Sequence, residues 1–300
     1  MFTSPWQSPD QKLIVRLDAS SLKRSNCAQD FYLSNLTGHR VSGCKNAPAF
    51  GTAIHKAAAA LRAGTVSVAE ANMLAMEYLI DANLPEDKLR TPELLLEILG
   101  EYLPQILPKA DDFKVAHRNG KPAIELPFEI PFRAFDEVDF TLTGVFDELG
   151  SFDPQYPRFK DIKSTALQPA KVSGKWRTSS QMLLYSYVCK ASGYSTRYPS
   201  PIVDMLFLRA TRGKRFVRFK DEVLSEAHVD EYMSQVWDKA EEIYGWLKKD
   251  KFALNRTCCD TIFGDCQFRN VCDSAQAQRE SMLRSMFSRK EYDPATFGEN

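Results

Sequence analysis

The hydrophobic period of this chain switches back and forth along its length, and that order of periods constrains the fold more than any other feature. Residues 19–40 read as a short capped helix, a break around Cys27 and a second helix. Gly51 to His55 opens an Ala-rich helix, with Thr52 expected as its N-cap. Amphipathic segments follow over 67–82 and 92–107, the second beginning at Thr91-Pro92-Glu93, a combination suited to a helix start. From about 123 the spacing becomes alternating. Segments 124–130, 138–149 and 158–162 are predicted as strands. Helical spacing returns over 178–191, a strand pair over 202–209 and 214–220 turns at Arg212-Gly213, and a long helix covers about 221–250. Helices, then strands, one helix, strands and one helix predict a mixed α/β core with a helical insertion.

The charge balance removes one easy inference. The 300 residues carry 39 Lys+Arg against 39 Asp+Glu, so no overall charge recruits nucleic acid, and any such claim must come from local patterning. A composition of 44% apolar and 26% charged residues excludes wholesale disorder. The first residues lack a basic stretch followed by an apolar run, and no apolar run approaches the roughly 18 residues that cross a bilayer. A cytoplasmic protein without a membrane partner is the expectation. In that compartment seven cysteines do not read as a disulfide framework.

The chemistry concentrates in two neighbouring strands. Gly144-Val145-Phe146-Asp147 is followed, after a loop, by Asp161-Ile162-Lys163. Strand residues two apart share a face, so Asp161 and Lys163 project together while Ile162 enters the core. Two carboxylates and an ammonium at a strand end suit a hard cation such as Mg²⁺, with the lysine orienting or deprotonating water and stabilising phosphate charge. As a bare tripeptide, Asp-Ile-Lys reads first as a surface-strand ion pair of little consequence, and it is the surrounding spacing that favours the functional reading. Eighteen residues further on, Gln181 and Tyr185 stand one helical turn apart and share a face.

In its order of motifs the chain resembles the RecB-like branch of the PD-(D/E)xK nucleases, which carries Gly-x-x-x-His, Gly-x-x-Asp, Asp-x-Lys and Gln-x-x-x-Tyr. Here these are Gly51 to His55, Gly144 to Asp147, Asp161 to Lys163 and Gln181 to Tyr185. The resemblance implies a restriction-endonuclease-like α/β core, a central mixed sheet flanked by helices. It implies that His55, Asp147 and Asp161 bind Mg²⁺ or Mn²⁺ with help from the Ile162 carbonyl, that Lys163 is catalytic, and that Gln181 and Tyr185 support DNA binding beside the catalytic set. A lone histidine in a helix reads otherwise as a packed residue, and His39, His117 and His228 are taken as structural. The expected organisation is one nuclease domain over residues 1–275: a helical part over 20–110, a core over 120–220, and a final helix with cysteines over 221–275. A polar tail covers 276–300.

Four of the seven cysteines, Cys258, Cys259, Cys266 and Cys272, fall within fifteen residues. The spacing lacks the two close pairs of most zinc sites. Members of the RecB-like branch, among them AddB-type nucleases and CRISPR-associated exonucleases, hold a 4Fe–4S cluster on one upstream and three downstream cysteines. The resemblance therefore implies Cys27, Cys266 and Cys272 as ligands, with Cys259 preferred over Cys258 for the fourth and the cluster acting as a staple for the C-terminal segment. Cys44 and Cys189 are taken as bystanders. The family often has Cys-Pro at the upstream position, where this chain has Cys27-Ala28.

Local charge points to DNA. Residues 209–220 hold six basic and no acidic residues, and Lys214, Phe216, Arg218 and Lys220 would share a strand face. Lys171, Lys175, Trp176 and Arg177 form a second basic and aromatic stretch. Lys175, Arg177, Arg212, Lys214, Arg215, Arg218 and Lys220 are the candidate DNA contacts. The expected activity is exonucleolytic hydrolysis of DNA at ends or on single strands, in recombination, repair or phage DNA metabolism. The alternative is a non-catalytic iron–sulfur DNA-binding or assembly factor that retains the fold. A second copy of the chain or a recombination protein stands as an open partner.

Overall fold

The structure, a computed structural model, describes residues 11–41, 46–172, 174–220, 223–261 and 264–292. The first part of the chain forms β1 (Leu13–Leu17), α1 (Ala19–Arg24), α2 (Ala28–Phe31) and β2 (His39–Val41), then α3 (Asn46–Arg62), α4 (Val68–Asp81) and α5 (Pro92–Tyr102). Three strands follow: β3 (Ile124–Ala134), β4 (Val138–Ser151) and β5 (Arg158–Thr165). After α6 (Ser180–Ala191) come β6 (Ile202–Phe207), β7 (Phe216–Phe219) and α7 (Glu226–Lys249). The chain closes with α8 (Arg269–Asp273), α9 (Gln276–Met286) and β8 (Phe287–Arg289).

These elements divide into two compact units, Met1–Gly43, Phe128–Gly144 and Glu231–Asn300 in one, Cys44–Pro127 and Val145–Asp230 in the other. In the second unit the end of β4 runs antiparallel to β5, with Glu148 opposite Lys160. β5 runs parallel to β6, with Ile162 opposite Asp204, and β6 is antiparallel to β7. The sheet is therefore mixed, as the order of periods predicts. Its parallel pair is joined through α6, the crossover that parallel strands require. Ile162 and Leu206 from the sheet enter one apolar core with Phe50, Ile54 and Leu61 of α3, Ala75 of α4 and Leu95, Leu99 and Tyr102 of α5.

The helix starts follow local chemistry. Ser67 and Glu70 form a capping box on α4, and the Thr91 hydroxyl accepts from the Leu94 N–H ahead of Pro92. One expectation is corrected here. Thr52 does not cap α3, which begins at Asn46 and carries Gly51 in its interior. Pro48 lies in the first turn, where its missing N–H costs nothing, and Ala49 and Phe50 are buried, so packing extends the helix over the glycine.

In the first unit β1 pairs parallel to the start of β4, Leu13 opposite Val138 through Leu17 opposite Leu142. The tail is not featureless: α9 is helical and β8 pairs antiparallel with β2, Phe287 opposite Val41. Tyr292 is buried and its hydroxyl donates to Asp18 at 2.5 Å, while Arg40 lies 5.1 Å from its ring. Among the described residues no helix is long and apolar enough to cross a membrane.

Candidate functional site

Five elements of the second unit deliver the site. α3 carries His55 in its third turn, β3 carries Glu125 at its start, β4 carries Asp147, β5 carries Asp161 and Lys163, and α6 carries Gln181. Asp147 is buried, and its Oδ2 accepts from the Ile162 backbone N–H at 2.6 Å, which ties β4 to the motif strand. Asp161 is 1% exposed. Its Oδ1 accepts from Lys163 Nζ at 3.0 Å and from Gln181 Nε2 at 3.0 Å. Ile162 points into the core, as strand alternation requires, and its carbonyl lies 3.0 Å from His55 Nε2. On the other side of the ring, His55 Nδ1 stands 3.4 Å from both Asp147 Oδ1 and Glu125 Oε1.

The electrostatics follow from anions crowded out of water. Burial pushes the Asp161 carboxyl up, Lys163 pulls it back and neighbouring Asp147 raises it again, to about 6. Asp147 goes the other way: burial alone would raise it, but His55, Lys163 and the Ile162 N–H hold it below the ordinary carboxylate range. Burial works against charge on His55 and Lys163, yet the surrounding carboxylates outweigh it and keep both above their usual values. The site is thus short of positive charge, and the protons on His55 and Lys163 supply part of what a cation would.

The residues fit a divalent ion. His55, Glu125 and Asp147 bring ligand atoms within 4.8 Å of one another. The buried Asp161 Oδ2 pairs with Lys163 Nζ at 2.9 Å, and a carboxylate oxygen keeps a lone pair beyond that contact. An imidazole with carboxylates is the donor set that Mg²⁺ and Mn²⁺ accept. Glu125 was hidden in the sequence because it stands in an alternating strand, where it reads as an outward-facing residue.

The profile of the PD-(D/E)XK nuclease superfamily matches residues 19–273. The chain belongs to the PD-(D/E)XK nuclease superfamily. Its mixed sheet flanked by helices is the architecture that the motif order implies, and the superfamily is one of metal-dependent nucleases that hydrolyse phosphodiesters. Among solved structures, one titled "Crystal structure of SSO0001" is 12% identical and aligns over 72% of this chain and 83% of its own, with a TM-score of 0.28. No curated protein matches.

The other candidate residues of the PD-(D/E)XK chain fall into different settings. Tyr185 is buried, with its ring 5.0 Å from that of Phe146 and 6.0 Å from that of Phe159, so it packs under the motif strands. Arg218 does not share a free face with Lys214 and Lys220. It donates to Asp204 and Asp111 at 2.6 Å each, because the apolar strand β6 carries a buried carboxylate that needs a cation. Arg215 is held by Glu97 and the Leu208 carbonyl. Lys175, Arg177, Arg212, Lys214 and Lys220 are exposed. The ring of Trp176 lies 6.4 Å from that of Phe219, so the two basic stretches, separate in sequence, meet in space.

Cys27, Cys258, Cys259, Cys266 and Cys272 belong to the first unit. Cys27 precedes α2, and its sulfur accepts from the Asn255 N–H at 3.4 Å. Cys266 N–H donates to the Cys259 carbonyl at 2.8 Å, and Cys272 packs in a small core with Leu33, Phe268 and Phe287. Burial, then charge on Cys266, Cys27 and Cys259, raises the Cys272 thiol to about 11, so these four lie near one another. Cys258 turns its thiol to the Asn26 carbonyl at 3.7 Å. Cys189 is buried on α6, where burial pushes its thiol up. Cys44 lies outside the described residues.

Proposed function

We propose that this protein is a DNA exonuclease acting on ends or single strands, with His55, Asp147 and Asp161 holding Mg²⁺ or Mn²⁺. The observation that carries the reading is the convergence of His55, Asp147, Asp161, Lys163 and Gln181, far apart in sequence, into one contact set along the Asp161-Ile162-Lys163 strand. The ion, when bound, supplies positive charge to the phosphate and lowers the pKa of water. The Ile162 carbonyl, expected as a ligand, instead accepts from His55 Nε2 on the side of the ring away from Nδ1 and so orients the ring. Lys163 is paired with Asp161, and its part is to donate to the scissile phosphate and stabilise charge there. Gln181 fixes the rotamer of Asp161.

Lys175, Arg177, Arg212, Lys214 and Lys220 are the proposed DNA track, leading toward Gln181 at the start of α6. Residues 1–275 act together as one nuclease, a reading supported by a family match that spans both compact units. Cys27, Cys259, Cys266 and Cys272 are proposed to hold a 4Fe–4S cluster. Burial, and then the neighbouring thiols, raise the Cys259, Cys266 and Cys272 thiols, and a cationic cluster core would offset that by favouring the thiolates. The cluster would supply a staple for the C-terminal segment. Cytoplasmic recombination, repair or phage DNA metabolism is the proposed setting.

The test is cleavage of labelled single- and double-stranded DNA, with 5′ or 3′ ends blocked, in Mn²⁺ and in EDTA. Metal-dependent shortening from an unblocked end is expected. Metal-dependent activity retained in Asp161→Ala would overturn the assignment.

A further inference from the structure

We propose that Glu125 is an additional ligand of the divalent ion, giving the site a carboxylate that none of the sequence motifs supplies. The inference rests on the metal-dependent reading above. It begins from the tautomer of His55. A backbone carbonyl can only accept, so the 3.0 Å contact with Ile162 puts a proton on Nε2. Nδ1 is then the nitrogen that presents a lone pair to a cation once its own proton is displaced, and it faces Glu125 and Asp147 at equal distances of 3.4 Å. The three ligand atoms close to within 4.8 Å of one another. A hydrogen bond donated by the remote ring N–H to a backbone carbonyl is the support that metal-bound histidines generally have.

The setting of Glu125 agrees with a ligand more than with a surface residue. Its side chain is 42% exposed, yet it turns from solvent to the His55 ring that the buried Asp147 also faces. Its backbone stands at φ +45°, a left-handed conformation that costs a non-glycine residue about 1–2 kcal/mol. Such strain collects at ligand sites because surrounding structure enforces it. Asp147 and Asp161 are fixed by hydrogen bonds from the Ile162 N–H, Lys163 and Gln181, whereas Glu125 approaches from a separate strand. The ion would therefore be gripped by β3 as well as by the β4 and β5 motifs.

The test measures Mn²⁺ binding to the full protein without DNA, by calorimetry for affinity and by water-proton relaxation for the number of waters on the ion. Glu125→Gln is expected to weaken binding at least about tenfold and to admit one further water. Unchanged affinity, or weaker binding with unchanged hydration, overturns the proposal, the second because Glu125 would then act on the ion only from a distance. Glu125→Asp keeps the charge but draws the carboxylate back by one methylene. It should also bind more weakly, and wild-type affinity in it overturns the proposal as well. If Glu125→Gln binds as wild type while Asp147→Asn does not bind, this inference fails alone. If the wild-type protein binds no Mn²⁺, the metal-dependent reading fails with it.

Discussion

At the scale of single residues, Lys163 is placed to carry charge. Its ammonium lies 3.0 Å from Asp161 Oδ1 and 2.9 Å from Oδ2, and those contacts hold its proton against burial. Lys163→Ala is expected to lower the rate of DNA cleavage by about 10²-fold or more while leaving the thermal midpoint close to wild type. Single-turnover cleavage beside a melting curve checks both. A second prediction concerns the adjacent thiols. Cys259→Ser should lower the iron content of anaerobically purified protein, and Cys258→Ser should not, since Cys258 is turned to Asn26. The reverse result would exchange the two. The motif residues were legible because each chemistry depends on a short spacing. Glu125 was not, since nothing in an alternating strand marks one glutamate as turned toward a histidine, and the six basic residues of 209–220 conceal that Arg218 is neutralised by Asp111 and Asp204.

At the scale of elements, the hydrophobic period located the helices and strands well and their ends less well. α4, α5 and α6 lie where helical spacing placed them, and β5 continues to Thr165, beyond the expected 162. What the period could not convey is how elements are fitted together. Gly150 shows this. It sits in β4 opposite Val115 and Arg158, and a Cβ there would lie 2.2 Å from the Lys114 carbonyl oxygen and 2.9 Å from the Phe113 ring. The backbone oxygen cannot rotate away, so Gly150→Ala is expected to destabilise the protein by about 1–3 kcal/mol. A urea midpoint unchanged from wild type would show that the Lys114 strand detaches without cost. The same argument applies to the C-terminal segment. Polar composition suggested a tail, but a three-residue strand and one buried tyrosine suffice to order it.

At the scale of the whole molecule, zero net charge conceals a strongly charged interior. Arg62, Lys160 and Arg218 meet Asp111, Glu148 and Asp204 in the second unit: Lys160 is 2.8 Å from Glu148, Arg62 is 3.0 Å from Glu148, and Tyr102 donates to Asp204 at 3.0 Å. Three cations balance three carboxylates, and the group lies beneath the strands that carry Asp147 and Asp161. Removing one partner would leave an uncompensated buried charge, so Asp111→Asn is expected to cost about 3–5 kcal/mol at neutral pH. The pH dependence has a definite sign. Burial favours the neutral acid, but Arg218, Lys160 and the Phe113 N–H outweigh it and hold the folded carboxyl below its ordinary 3.8. A carboxyl depressed on folding contributes stability that is complete above its unfolded value and is lost as pH falls through the folded one. Stability should therefore decline with acid below about pH 4, and the decline should be shallower in Asp111→Asn, which has no proton to take up there. Chemical denaturation at a series of acidic pH values measures that slope. An equally steep decline in the variant would assign acid sensitivity to carboxylates outside this cluster.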